Sequence, residues 1–308
     1  MITSNFFKVV SKGSMSEKNF HFDLTISVVL YKPQMQVFRE MLSSVQRCGL
    51  NYKLYLIDNS PVDAISASIS DPRVEYIFTG ENVGFGKAHN IALRKAVKEA
   101  PFHVVLNPDV SFPEGTLEML QQYMERSPDV GLVMPKVLNM NHELQYLCKR
   151  LPSPLELFFR RFIPANFTWI RKRLESYEMR EMNYESEFEA PYLSGCFMFL
   201  RTEAIARIGY FDERYFMYME DIDLSRRIFS EYRNVYYPKA RIYHVHARES
   251  YKTFRLLKIH IISAIQYFNK WGWFVDSDRR RLNQGNSASD SRSFALRPVA
   301  LEKSLSEG

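Results

Sequence analysis

Leu24-Thr25-Ile26-Ser27-Val28-Val29-Leu30 is a short, largely β-branched run without helical period, and Pro33 closes it. Such a run reads as a strand buried on both faces. Val37 to Cys48 follows with apolar residues at Val37, Phe38, Met41, Leu42 and Val45 and with Gly49 behind it. That is an amphipathic helix and its stop signal. Outward from this pair the alternation continues. Tyr52 to Ile57 reads as a strand ended by the turn cluster Asp58-Asn59-Ser60-Pro61, Val74 to Phe78 as a third strand, and Ala88 to Lys98 as a second helix. Phe102 to Leu106 is a fourth strand ending at Asn107-Pro108-Asp109, and Thr116 to Arg126 a third helix. Strand and helix in turn predict an α/β fold with a parallel, doubly wound sheet and ligand groups at the carboxyl ends of its strands.

Beyond residue 130 the pattern loosens. Pro152, Pro154 and Pro164 interrupt a basic, aromatic stretch; Tyr192 to Arg201 reads as one strand, Glu220 to Phe229 as a helix, and Val235–Tyr237 and Ala240–Val245 as two short strands around Pro238. Tyr251 to Trp271 has apolar residues at helical spacing. From Asp276 the chain is rich in Ser, Asp and Arg and reads as a disordered tail.

Composition narrows the function. The 308 residues are 46% hydrophobic and 25% charged with a net charge of +6, which is ordinary for a globular chain. Three scattered cysteines, Cys48, Cys148 and Cys196, support neither a disulfide framework nor a structural zinc site and suit a reducing compartment. With no signal-peptide core or spanning segment in sight, the expectation is a soluble, cytoplasmic protein. The positive charge is not uniform. Lys149 to Arg173 holds seven basic residues against one acid and Arg226 to Lys258 nine against two, while Leu174 to Ser225 holds twelve acids against four bases. An acidic block between two basic ones is unlike the basic stripe of a duplex-binding protein, so nucleic acid is not expected as a partner.

Several residues can carry chemistry. Asp58 at the end of a strand could accept from a base or ribose hydroxyl, although Asp-Asn-Ser is equally Asx-turn chemistry. Gly80-Glu81-Asn82-Val83-Gly84-Phe85-Gly86 leads into a helix and could receive phosphate, or serve only as a turn. Asn107-Pro108-Asp109 projects a carboxylate suited to a hard divalent cation. Glu220-Asp221-Ile222-Asp223 opens a helix, where acids complement the macrodipole; the preceding Tyr215-Phe216-Met217-Tyr218-Met219 would raise a carboxylate's pKa toward general-base values. His244 and His246 alternate on a strand and share a face, so an imidazole could complete a cation site begun by Asp109. Arg227 could reach a phosphate or pair with Asp223 four residues back.

In this order, Asp58, Asn82-x-Gly84-Phe85-Gly86, Asn107-Pro108-Asp109, Gly195, Gly209-x-Phe211-Asp212, Phe216-x-x-x-Glu220-Asp221-x-Asp223-Leu224-x-x-Arg227 and His244, the residues resemble the inverting family 2 glycosyltransferases, in particular the bacterial rhamnosyltransferase-like branch. The resemblance spans about residues 24 to 260. It implies a GT-A fold, a Rossmann-like, mostly parallel central sheet with flanking helices and a C-terminal helical extension. It implies transfer from a nucleotide-diphospho-sugar donor, with Mg²⁺ or Mn²⁺, to a saccharide acceptor. The organisation expected from it is an N-terminal extension at 1–23, a glycosyltransferase domain at 24–250 (a nucleotide-binding half at 24–130 and an acceptor and catalytic half at 131–250), an amphipathic helix at 251–275 and the tail at 276–308. By matching position, Asp221 would be the catalytic base beside Glu220. Asp109 and His244 would hold the metal, and Asp58, Asn82, Gly84, Phe85, Gly86, Asn107 and Arg227 would bind the donor. Gly195, Phe216, Tyr218 and Asp223 would face the acceptor. Asn107 departs from the first aspartate common in relatives.

The resemblance also suggests dTDP-L-rhamnose as donor and a lipid-linked oligosaccharide of a bacterial surface polysaccharide, O-antigen or capsule, as acceptor. Another hexose or galactofuranose donor, or a catalytically idle module with a membrane or partner-binding role, is the alternative. A nucleotide-sugar pyrophosphorylase is disfavoured, because Leu30-Tyr31-Lys32-Pro33 stands where those have a glycine-rich basic loop. Phe158-Phe159-Arg160-Arg161-Phe162, Trp169-Ile170-Arg171-Lys172-Arg173 and Trp271-Gly272-Trp273-Phe274 mix aromatics with cations or end a helix, as peripheral contacts with the inner, anionic membrane face do.

Overall fold

The computed structural model describes residues 20–162, 167–245 and 254–284. The chain runs β1 (Leu24–Leu30), α1 (Met35–Gln46), β2 (Tyr52–Asp58), β3 (Val74–Phe78), α2 (Phe85–Glu99), β4 (Phe102–Leu106), β5 (Val110–Ser111) and α3 (Thr116–Arg126). It continues with β6 (Val130–Leu138), β7 (Cys148–Lys149), α4 (Pro154–Phe162), α5 (Thr168–Tyr177), β8 (Phe188–Glu189), β9 (Tyr192–Leu193), β10 (Phe197–Arg201) and α6 (Thr202–Ile208). It ends with α7 (Glu220–Glu231), β11 (Arg233–His244), α8 (Phe254–Trp271) and α9 (Ser277–Gln284).

The main sheet has the order β3-β2-β1-β4-β10-β6-β11-β5, with β8 also on β11. β1 pairs in parallel with β2, from Leu24 opposite Tyr52 to Leu30 opposite Asp58, and with β4, from Leu24 opposite Phe102 to Val28 opposite Leu106. That register aligns the carboxyl ends of the first four strands and sets Asp58 and Asn107 on one rim. Crossover helices cover both faces, so Leu24, Ile26, Val28, Leu30, Val104 and Leu106 are buried, as a continuous apolar run requires. β10 enters antiparallel between β4 and β6, with Phe197 opposite Leu106.

Two polar positions of β1 interrupt this core. Ser27 Oγ is hydrogen-bonded to His89 Nδ1 at 2.7 Å and to His103 Nε2 at 2.8 Å, and Thr25 Oγ1 to His103 Nδ1 at 2.8 Å. Burial holds both imidazoles neutral, His89 well below the ordinary histidine range and His103 down to about 3.

The structure adds elements that were not expected, β6 and α6 among them, and differs from the expectations elsewhere. Val235–Tyr237 and Ala240–Val245 are one strand, because a register shift between Tyr237 and Arg241 absorbs Pro238 without ending the ladder. Tyr192–Arg201 is two strands, β9 and β10, separated at Ser194-Gly195-Cys196. The proline-interrupted stretch holds two helices, because Pro154 sits in the first turn of α4, where a missing N–H costs nothing. The expected tail from Asp276 begins with helix α9. Asp276 makes a bidentate pair with Arg226 at 2.7 Å, both side chains only 3% exposed, and Asn283 bonds the Leu151 backbone at both ends of its amide. His246 and residues 285–308 lie outside the described residues.

Candidate active site

The centre of the site is the start of α7. Tyr218 and Met219 both have left-handed backbones, at φ 70° and 55°, and the Glu220 N–H donates to the Tyr218 carbonyl at 2.5 Å. Two non-glycine residues in that region cost energy that only surrounding contacts can hold. The tight entry they make delivers Glu220 and Asp221 into the first turn.

Asp221 Oδ2 accepts hydrogen bonds from the Tyr192 hydroxyl and the Gly195 N–H, each at 2.9 Å, and Oδ1 accepts from the Ile222 N–H. A Cβ on residue 195 would stand 3.0 Å from the Asp221 Cβ, so any side chain there would press on Asp221. Gly195 thus holds Asp221 closely. Glu220 lies differently. It is 4% exposed, its Oε2 finds no partner among the described residues, and burial followed by the Asp221 charge raises its carboxyl well above the usual range. Burial and the neighbouring carboxylate both favour its protonated form, which sets it apart from Asp221.

Asp109 is the second candidate carboxylate. The Asn107 N–H donates to the Cys196 carbonyl at 2.9 Å. The Cys196 thiol is pushed up to about 12 by burial, to which the charges of Asp109 and Asp221 both add. β5 joins β11 with Val110 opposite His244, and the Val245 N–H donates to the Asp109 carbonyl at 3.0 Å. This ladder brings His244 Nε2 to 3.5 Å from Asp109 Oδ1, a buried oxygen that accepts no hydrogen bond among the described residues. Gln145 backs the histidine: its Nε2 donates to the His244 carbonyl at 2.8 Å and its Oε1 lies 3.1 Å from Nδ1. A buried carboxylate oxygen lacking a donor beside an imidazole is a fitting pair of ligands for a divalent cation. No group of three or more His, Cys, Asp or Glu suited to a metal occurs among the described residues, so further ligands would come from a bound diphosphate or water.

Other expected site residues are spent on the scaffold. The Asp58 carboxylate is buried, with Oδ1 accepting from the Ser60 N–H and Oδ2 from the Tyr76 hydroxyl, each at 2.8 Å. The Asx turn is therefore what the structure shows, and a donor contact would have to displace Tyr76. Asn82 Oδ1 accepts from the Gly84 N–H at 3.0 Å, and the Phe85 N–H donates to the Phe216 carbonyl at 2.9 Å. At Gly84, with φ at 95°, an added Cβ would collide with that carbonyl, and at Gly86 it would stand 2.9 Å from Phe211. The glycine loop is a packing joint between α2 and the approach to α7, with the Phe216 carbonyl where a phosphate oxygen was expected. The partly buried Tyr218 ring packs edge-on against His260 of α8, at 5.1 Å between centroids.

Arg227, expected on the donor, pairs with Asp223 Oδ2 at 2.8 Å and donates to the carbonyls of Ile208, Gly209 and Tyr210. Asp223, expected on the acceptor side, is 0% exposed and also takes Trp271 Nε1 at 2.8 Å and Lys270 Nζ at 2.7 Å from α8. Both are structural anchors of α7, which is the i,i+4 alternative. Tyr192 and Gln145 were not singled out in the sequence. Neither belongs to a motif, and only the pairing of β9 and the hairpin after β6 brings them to the site.

The model of the family described as "Glycosyltransferase like family 2" matches residues 32–258. The chain belongs to that family. The glycosyltransferase is 27% identical over 233 residues, 72% of its own chain and 75% of the relative, to the N-acetylglucosaminyl-diphospho-decaprenol L-rhamnosyltransferase of Mycobacterium tuberculosis. Among solved structures it resembles GalNAc-T7 with UDP, GalNAc and Mn²⁺ (TM-score 0.55, 13% identity, 73% of this chain and 43% of that one). It also resembles the mannosyltransferase PcManGT from Pyrobaculum calidifontis with GDP-Man and Mn²⁺ (TM-score 0.52, 17% identity, 81% and 66%). The glycosyltransferase thus spans less than half the length of GalNAc-T7, and at these identities the likeness is one of fold. The expected GT-A architecture is the one these structures share with it.

Proposed function

We propose that this glycosyltransferase is an inverting enzyme that transfers L-rhamnose from dTDP-L-rhamnose to a lipid-linked oligosaccharide in bacterial surface-polysaccharide assembly. The observation that carries the chemistry is Asp221, whose Oδ2 is held by the Tyr192 hydroxyl and the Gly195 N–H. Asp221 takes the proton of an acceptor hydroxyl while that oxygen bonds to the anomeric carbon and the bond to the departing diphosphate breaks on the opposite side. Mg²⁺ or Mn²⁺ held by Asp109 and His244 would offset the charge that grows on the leaving group. The rhamnose donor and lipid-linked acceptor draw support from the mycobacterial relative's name.

An acceptor of that kind lies on a membrane, and no helix among the described residues is long and apolar enough to cross one. Leu155, Phe158, Phe167 and Trp169 are exposed beside exposed Arg171, Lys172 and Arg173, and Phe254, Ile261, Ile262, Ile265, Phe274 and Val275 are exposed on or just after α8. These faces suit peripheral docking to the anionic inner membrane surface.

A screen of nucleotide sugars against wild type and Asp221→Asn is the test. Rhamnose transfer should fall by about 10²–10⁴-fold in the variant with nucleotide binding kept. Near-normal transfer by Asp221→Asn would remove the base, and faster turnover of another donor would replace dTDP-rhamnose.

A further inference from the structure

The side of His244 that faces away from Asp109 raises a separate question. Gln145 Nε2 donates to the His244 backbone carbonyl at 2.8 Å, and a carbonyl can only accept, so this bond fixes which end of the Gln145 amide is which. The other end, Oε1, therefore faces His244 Nδ1 at 3.1 Å as an acceptor, and Nδ1 must carry the hydrogen. In a neutral ring the lone pair is then on Nε2, the nitrogen 3.5 Å from Asp109 Oδ1. Asp109 Oδ1 is itself buried and accepts no hydrogen bond among the described residues. Two electron-pair donors held face to face in a buried place repel each other unless a positive charge lies between them.

We infer that Gln145 is a positioning residue: it locks the His244 tautomer so that Nε2 can ligate a divalent cation together with Asp109. The inference rests on the cation site of the proposed function and adds the group that orients it. Gln145 comes from the hairpin that follows β6, whose Gln145 N–H is tied to the Val137 carbonyl at 2.9 Å, so its side chain is carried by backbone already fixed in the sheet. A glutamine there does two jobs that neither a leucine nor a lysine could do, donating to the strand and accepting from the ring. Groups that orient a ligating imidazole in this way change metal affinity by about 10–100-fold.

The test measures Mn²⁺ binding by electron paramagnetic resonance and the His244 tautomer by ¹⁵N NMR in the cation-free protein at pH 8. Wild type should show hydrogen on Nδ1 alone. Gln145→Leu should mix the tautomers and weaken Mn²⁺ by about 10–100-fold. Gln145→Glu, which keeps the acceptor for Nδ1–H but loses the donor to the His244 carbonyl, should hold the wild-type tautomer and bind Mn²⁺ more tightly than Gln145→Leu. Binding that Asp109→Asn abolishes but Gln145→Leu leaves intact overturns the inference alone. Binding that survives Asp109→Asn overturns the cation site and the inference with it. If Gln145→Leu does not fold, the wild-type spectrum still decides, since hydrogen on Nε2 would refute the lock.

Discussion

The two ends of this chain are stabilised by different means. From β1 to β4 the structure is an apolar interior in which the main polar insertion, Ser27 with His89 and His103, is neutral and hydrogen-bonded. From α7 to α9 buried charge is added to an apolar cluster of Ile222, Phe229, Tyr267, Phe268 and Leu282. Arg226 and Asp276 pair bidentately, the Trp271 ring lies 4.0 Å from the Arg226 guanidinium, and Asp223 takes Arg227, Trp271 and Lys270. The difference teaches that the helix carrying Asp221, although it also buries Ile222, Leu224, Ile228 and Phe229, is tied by specific charged partners from the C-terminal segment.

Cutting the charged half should have the largest effect. Asp276→Ala leaves the Arg226 guanidinium buried without its partner and should cost about 3–5 kcal/mol in urea unfolding, whereas the pair replacement Arg226→Met with Asp276→Leu should be neutral or stabilising. An unchanged stability in Asp276→Ala would erase the contrast between the halves. Ser27→Ala tests the neutral network: it strips one ring nitrogen of each histidine of its partner and should cost about 1–3 kcal/mol.

The third probe is pH. Both histidines are neutral when folded and titrate near the ordinary value of 6.5 when unfolded, so the unfolded chain binds more protons below pH 6.5. Their contribution is complete above pH 6.5 and is lost as pH falls toward the folded values, by about 1.4 kcal/mol per pH unit for each ring. Unfolding midpoints between pH 7 and 5 should show this slope, and His103→Gln should reduce it.

The same contrast explains what could be read in advance. β1, β3, β4 and α3 were legible because each is an apolar run bounded by Pro, Gly, Asn or Asp, a local signal. α9 was not, since Ser277–Gln284 is polar and is held by Arg226, fifty positions earlier in the chain. In the candidate site, Asp109, His244 and Asp221 were singled out from motif order, and the fold brings His244 Nε2 to 3.5 Å from Asp109 Oδ1. Arg227 and Asp223 stood in the same motif, but no local feature told an anchor from a ligand. Gln145 and Tyr192 had no signal at all, since each acts through a strand pairing that only the folded sheet creates.

The insertion of β10 between β4 and β6 also bears on how the molecule is made. Phe102–Leu106 emerges from the ribosome some ninety residues before Phe197–Arg201, its partner on that side. Through that interval one edge of the nascent parallel sheet lacks the strand that finally covers it, the kind of edge on which chains aggregate. A chain stopped before residue 197 therefore has no β10 against β4, and the Asn107 N–H lacks the Cys196 carbonyl it meets in the finished fold. The sheet that carries Asp109 closes only late in synthesis.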